Sequence, residues 1–398
     1  ILKKYETYTK CSFLQPSYMM DGRYGLSILP IDKWKKHRVI ISNSFNYNLL
    51  NSKLHHIKSS FDEVVANIPH DSEKPVELFN YLVLMTGQNV GKILFGQRFN
   101  EYKVEGCNMT LFFNDLVKEA SSLTVSWECT LFGADIVKLK LTERHREFRR
   151  KVELIREKFK SIIRARKTKR NNNDDIIEIL LDTQNDPDPE ANYNDDMIVD
   201  EYLNFYIAGT DSTAQATTQC LFMLDRYPQY KERIMKEIEE FYEGKELDVN
   251  NLAKMEFLHA FIKEVMRLLP LIVGPFPRTV QTDQMLGKYQ IKAGTILWPM
   301  FLSAFYNPNF YPNPDEFNPD RWMDKELSNP YAYIPFGAGA RNCIGQHFGM
   351  LEIKIIMIEF LEAFDYEVPK DYKLEKVRKF LYVPRVEIPF IIRKKTPK

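Results

Sequence analysis

Apolar residues recur at Phe148, Val152, Ile155, Phe159, Ile162 and Ile163, the three- and four-residue spacing of one helix face. The rest of that segment is basic, with thirteen Lys or Arg against three Glu over residues 144–170. Such a helix either turns a solvated face outward or rests on anionic lipid headgroups. No aromatic residues interleave with the charges, which argues against nucleic acid. Residues 171–175 and 184–196 are polar and Pro-containing or Asn-rich, and read as loops around a short apolar helix over 176–181. From about 195 to 226 a long helical pattern runs without Pro and stops before Tyr227-Pro228. Its internal Gly209 costs ~1 kcal/mol and calls for a reason. Amphipathic helices are predicted over roughly 228–243 and 255–269, the second stopped by Pro270. Residues 285–300 carry a Gly-punctuated hairpin pattern, and the Pro-rich stretch 307–330 reads as an ordered loop. A last helix is predicted over 344–364, with Met350, Ile353, Met357, Phe360 and Phe364 on one face. Residues 1–25 and 100–135 read as loops, and no internal repeat is present.

Composition narrows the classes. In 398 residues, 44% hydrophobic and 27% charged, a sizeable core is possible and global disorder is excluded. Lys plus Arg (55) nearly balance Asp plus Glu (54), so no overall field points to nucleic acid. Five scattered cysteines, Cys11, Cys107, Cys129, Cys220 and Cys343, argue against a disulfide scaffold and for a reducing compartment. No CxxC or HExxH occurs. No apolar run approaches the ~20 residues that span a bilayer. Residue 1 is Ile and no signal sequence precedes it, so the chain reads as a fragment or processed form. The sequon Asn108-Met-Thr110 would stay unused on a cytosolic protein.

The strongest chemical signal is Phe336-Gly-Ala-Gly-Ala-Arg-Asn-Cys-Ile-Gly345. Cys343 sits in a Gly-rich turn just before a long helix, where backbone N–H groups and the helix dipole stabilise a thiolate. Gly337, Gly339 and Gly345 permit close approach of something bulky and flat, and Arg341 offers a cation to an anionic group. The string matches F-x-x-G-x-R-x-C-x-G, the haem-ligand signature of the cytochrome P450 family. Glu264-Val-Met-Arg267 resembles that family's E-x-x-R helix, and Pro314 to Trp322 resembles its P-x-x-F-x-P-x-R-[FW] segment. Trp34-Lys-Lys-His-Arg38 resembles the helix that holds a haem propionate, and Arg278 in Pro275-Phe-Pro-Arg278 aligns with a second propionate partner. Ala208-Gly-Thr-Asp-Ser-Thr213 resembles the oxygen-side motif of the central helix, with Ser212 where Thr is usual.

The resemblance implies a mainly α fold with small β-sheets, a single catalytic domain over 1–398, and a non-covalent haem b with Cys343 as iron ligand. Trp34, Arg38, Arg278 and Arg341 would neutralise propionates. Phe336, Gly337, Gly345, Ala208 and Gly209 would border the haem, Gly209 through a local opening of the central helix. Asp211, Ser212 and Thr213 would deliver protons, and Glu264, Arg267 and Arg321 would form a buried structural network. It further implies a monooxygenase drawing NADPH electrons through a flavoprotein reductase, which docks near Lys33, Lys35 and Lys36, and using O₂ on a lipophilic substrate. The string GARNCIGQHFGMLE is nearest the fatty-acid ω-hydroxylase branch, although Ala208 replaces the Glu that esterifies haem in many of its members. Two alternatives stand beside it: a peroxide-using haem-thiolate isomerase or dehydratase, and a non-catalytic haem-binding product. Measured against the family, the membrane anchor, the first helices and two strands would precede residue 1. The resemblance thus places the whole protein on the cytosolic face of the endoplasmic reticulum, and leaves this chain with an unpaired sheet edge near 294–305 and poor stability.

Overall fold

The computed structural model describes residues 1–11, 16–170, 175–188, 191–242, 245, 247–274, 276–323, 327, 329–378 and 381–395. The expected loop at 171–175 falls mostly outside these residues, as does Pro275. In chain order, the elements that position the site are β1 (Tyr8–Lys10), α1 (Ile31–Ser42), α2 (Tyr47–Val65), β2 (Val76–Glu77), α3 (Leu78–Asn89) and α4 (Met109–Thr124). Then come α5 (Glu143–Thr168), α6 (Ile176–Asp182), α7 (Asp195–Arg226), α8 (Lys231–Phe241) and α9 (Glu256–Leu268). The strands β3 (Arg278–Val280), β4 (Gln284–Leu286), β5 (Tyr289–Ile291) and β6 (Ile296–Leu297) precede α10 (Gln346–Ala363), β7 (Phe364–Glu367) and β8 (Pro389–Lys394).

The centre of the molecule is α7. Asn194 caps it by accepting from Met197 N–H (2.9 Å), Asp195 and Asp196 suit the positive end of the helix dipole, and Arg226 closes its last turn. Of its 32 residues, 24 are buried, so it is enclosed by neighbours rather than laid on a surface. Helix α3 crosses it closely, and Thr86 Oγ1 of α3 donates to Thr210 O (2.9 Å). Phe95, Phe99, Phe113, Phe159, Tyr202 and Tyr206 fill the space between α4, α5 and α7 with packed rings. Helix α5 buries Phe148, Val152, Ile155, Phe159, Ile162 and Ile163, and closes with Arg166 buried against Asp175 (2.8 Å) and Glu178 (3.0 Å).

Three sequence expectations change. Residues 109–124 form α4 rather than a loop: Asn108 caps it by accepting from Thr110 N–H (2.9 Å), and Phe113, Leu116, Val117 and Ala120 go to the core. The expected helix over 228–243 splits into a 3-10 turn at Pro228–Tyr230 and α8. Helix α10 is not amphipathic: its residues from Glu352 to Leu361 are all buried, and Phe364 begins β7.

The sheets are small and antiparallel. β1 pairs with β3 in the register Tyr8↔Val280 and Lys10↔Arg278, and β3 pairs with β6. β6 is the outer strand of that sheet among the described residues, and Ile296 (51% exposed), Trp298 and Met300 stand out beside it. β4 and β5 form the expected hairpin, with Gly287 at φ +60° in the turn. β8 lies between β2 and β7. Among the described residues no helix is long and apolar enough to cross a membrane.

Candidate functional site

The loop before α10 is folded by its own backbone. Cys343 N–H donates to Phe336 O (2.9 Å), Asn342 N–H to Gly339 O (3.1 Å) and Gly337 N–H to Ile334 O (2.9 Å). Gly337 (φ +75°) and Gly339 (φ +77°) occupy the left-handed region that this folding requires. A Cβ on Gly339 would lie 2.5 Å from Leu2 O, so that glycine makes room for the chain's own first residues rather than for a ligand. Nothing comes nearer than 3.9 Å to a Cβ on Gly337 or 3.8 Å to one on Gly345. Cys343 is exposed. The protein around it pushes its thiol up by desolvation, while the Gly345 N–H, Arg38 and Lys10 pull the other way.

Four cations surround this loop. Arg38 of α1 donates to Asn342 O (3.0 Å) and Asn342 Oδ1 (3.2 Å), so its guanidinium braces the residue before Cys343. Arg341 lies 4.2 Å from the Trp34 ring centroid and donates through Nη2 to Leu29 O (2.9 Å). Arg278 is buried on β3, directly opposite Lys10 on β1. Burial pushes Arg278 and Arg341 down to about 10, and Lys10 well below its ordinary value, with Arg278 and Arg341 adding repulsion. Arg278 Nε and Nη1 and Arg341 Nη1 are buried with no hydrogen-bond partner. Burial is the largest influence on all four. Orphaned guanidinium N–H groups beside a thiol are what a flat, doubly anionic group such as haem would satisfy, so the residues present fit it.

Lys10 is the member that motif reading misses. It belongs to no motif, and only the β1–β3 register brings it to Arg278; its ammonium also lies 5.2 Å from the Phe276 ring centroid.

On α7 the buried run breaks at one place: Ala208 is exposed and Gly209, Asp211 and Ser212 are half-buried, between buried Ile207 and Thr213. Phe45 joins this region to the loop. Its ring lies 3.8 Å from the position of a Gly345 Cβ and packs on Phe205 (5.7 Å between centroids), one turn before Ala208. The helix is continuous here, without the local opening expected at Gly209. A Cβ at 209 would meet Val90 Cγ2 at 2.7 Å, so the glycine answers the close crossing of the turn after α3. Ser212 Oγ donates to Ala208 O. Thr213 is separated from Asp211 and Ser212: it is 5% exposed and lies beside Glu352 of α10.

Away from the loop, Glu264 and Arg267, both 0% exposed, form a two-pronged ion pair on α9 (2.8 and 2.9 Å). Glu264 also accepts from Arg321 Nε (2.9 Å), Trp322 Nε1 (2.8 Å) and Asn318 N–H (3.0 Å), while Arg267 Nη1 reaches Phe305 O (2.9 Å). Every prong is satisfied, which is the condition for a buried ion pair to persist. It ties α9 to the Pro-rich stretch that leads to the Cys343 loop. Of the three lysines beside Trp34, Lys35 pairs with Glu6 (2.7 Å) and Lys36 with Asp188 (2.6 Å), and Lys33 lies over the Tyr24 ring.

Comparison with known proteins identifies the family. The family model described as Cytochrome P450 matches residues 3–390. The chain is 29% identical to Cytochrome P450 4F5 of Rattus norvegicus over 84% of its own length and 66% of that protein. It is 26% identical to the Ultra-long-chain fatty acid omega-hydroxylase of Homo sapiens, over 88% of its own length and 68% of the relative's. The chain thus spans about two thirds of these relatives. The fold matches the retinoic acid-bound cyanobacterial CYP120A1 at a TM-score of 0.82 and 22% identity, over 99% of this chain and 86% of that one. It matches the cytochrome P450DA heme domain at 0.81 and 20%, over 100% and 84%. The chain belongs to the cytochrome P450 family.

Proposed function

We propose that the protein is a thiolate-ligated haem monooxygenase: RH + O₂ + NADPH + H⁺ → ROH + H₂O + NADP⁺. The observation that carries this reading is Cys343 set among Lys10, Arg38, Arg278 and Arg341, with buried orphan N–H groups on two of them. Haem bound there would supply the oxygen-activating chemistry, and the Cys343 thiolate would hold its iron and donate electron density to it. Arg278 and Arg341 would hold the propionates, and Lys10 would add charge. Arg38, which braces the loop through Asn342, and Trp34, whose ring lies against Arg341, would complete the surroundings of the propionates. Ala208 has no carboxyl for an ester, so the haem stays non-covalent. Asp211 and Ser212, on the uncovered stretch of α7, move a proton to the oxygen side as general acids. Thr213, turned to Glu352, stands behind that pair.

The electrons come from NADPH through a flavoprotein reductase that docks near Lys33, Lys35 and Lys36. The substrate is a lipophilic molecule, and likeness to a fatty acid omega-hydroxylase supports a fatty acid first. The family resemblance implies a place on the endoplasmic reticulum membrane for the whole protein, facing the cytosol.

The test is the carbon monoxide difference spectrum of the reduced protein, with Cys343→Ser and Asp211→Asn alongside. The expected result is a strongly red-shifted Soret band that Cys343→Ser abolishes, and NADPH-dependent turnover that Asp211→Asn slows while keeping the band. Haem-loaded protein lacking the band overturns the thiolate assignment. Turnover unchanged in Asp211→Asn removes that residue from the proton path.

A further inference from the structure

Residues 20–29 cross the first third of α7 as an irregular strap, held by two consecutive carboxylates of that helix. Tyr24 N–H donates to Asp200 Oδ2 (2.9 Å) and Leu26 N–H to Glu201 Oε2 (3.0 Å). Between them Gly25 packs so closely that a Cβ would lie 2.8 Å from Asn204 Cβ, so the strap cannot slide without unpacking. Asp200 also holds Arg156 of α5 (2.7 Å), which makes it part of the α5–α7 packing. Glu201 is 0% exposed; its other oxygen accepts from Tyr193 O–H (3.1 Å), whose ring packs at a tilt against His37 of α1, 4.0 Å between centroids.

The strap ends at the site. Gly25 O accepts from Ile28 N–H (2.9 Å) and Leu29 N–H (3.2 Å), turning the chain so that Leu29 O receives Arg341 Nη2 (2.9 Å). Pro30 O then accepts from Trp34 N–H (2.8 Å) to start α1, which sets the Trp34 ring against the Arg341 guanidinium. Both contacts that aim Arg341 therefore issue from the same strap, and its Nη1 is the buried atom left without a partner.

We propose that Glu201 is a positioning residue for Arg341: by holding Leu26 it fixes the Leu29 carbonyl and the Trp34 ring, and through them the direction in which Arg341 meets an anionic propionate. This rests on the reading of Arg341 given under the proposed function. A neutral amide should serve at position 201, because burial already pushes the Glu201 carboxyl up to about 8: the amide oxygen accepts from Leu26 N–H and the amide N–H donates to the Tyr193 hydroxyl oxygen, as the O–H of a neutral carboxyl does.

The experiment uses the full haem-loaded chain with Glu201→Ala, Glu201→Gln and Arg341→Met, reading the iron reduction potential and the rate of haem transfer to excess apomyoglobin. Loss of one buried hydrogen bond predicts transfer about tenfold faster in Glu201→Ala, with a lower potential because the positive guanidinium is no longer aimed at the ring. Glu201→Gln should restore both values, and Arg341→Met should move both at least as far as Glu201→Ala. If Glu201→Ala does not fold, Glu201→Asp shortens the reach by one methylene and should shift the potential in the same direction. A folded Glu201 variant that melts earlier but keeps the native potential and transfer rate makes Glu201 merely structural, provided Arg341→Met moves them. Native values in Arg341→Met instead overturn the propionate role of Arg341 itself.

Discussion

Glu352 of α10 is 0% exposed, accepts from Asn89 Nδ2 (2.8 Å) and has Thr213 beside it. Burial is the larger influence and pushes its carboxyl up to about 8. The native state therefore binds a proton that the unfolded chain releases near the ordinary carboxyl value. Stability contributed at this residue falls as pH rises from about 4.5 to about 8, and is constant above that. Replacing it with Gln removes the titration. The advantage of Glu352→Gln over the native protein should grow across that window by about 2–4 kcal/mol, read as denaturation midpoints at pH 5 and pH 8. A constant difference between the two pH values would show that the carboxyl is not held neutral.

Between elements, the informative contact is Gly209 against Val90. The missing methyl allows α7 and the turn after α3 to cross closely, so Gly209→Ala should cost about 1–3 kcal/mol despite its gain in helix propensity. Trimming the neighbour should relieve the clash. In Gly209→Ala, Val90→Ala should cost much less than it does alone, a coupling of about 1 kcal/mol or more in a double-mutant cycle of urea unfolding. Additive costs would mean that the two residues do not touch. The sequence shows that Gly209 needs a reason but hides the reason, because Val90 lies far away along the chain. For the same cause Lys10 is invisible to motif reading: its importance comes from a strand register. Helix α7, by contrast, is legible to the residue, since Asn194, the acidic first turn and Tyr227-Pro228 are local signals. Helix α4 escapes notice because its cap, Asn108, also closes a two-residue strand, and its apolar positions are interrupted by Asn114 and Asp115. The Cys343 loop is readable because its chemistry is contiguous in sequence.

For the whole molecule, the outer strand β6 has its second row of backbone groups uncovered by any described strand, with Ile296, Trp298 and Met300 exposed nearby. Such an edge recruits other strands, and a single Lys is an effective guard. Ile296→Lys should reduce concentration-dependent association of this chain in sedimentation velocity while leaving its melting temperature within about 2 °C, since exposed substitutions rarely change stability by more than about 0.5 kcal/mol. Association equal to that of the native chain would place the adhesive surface elsewhere.

The clustering of Lys10, Arg38, Arg278 and Arg341 has a consequence for biogenesis. Like charges gathered in a desolvated place repel one another, so the polypeptide carries electrostatic frustration until an anion arrives to quench it. A haem bound among them would thus also serve as their counter-ion. Chains made faster than haem is supplied would linger in a self-repelling form, and multivalent anions such as sulfate would act on them as temporary chaperones.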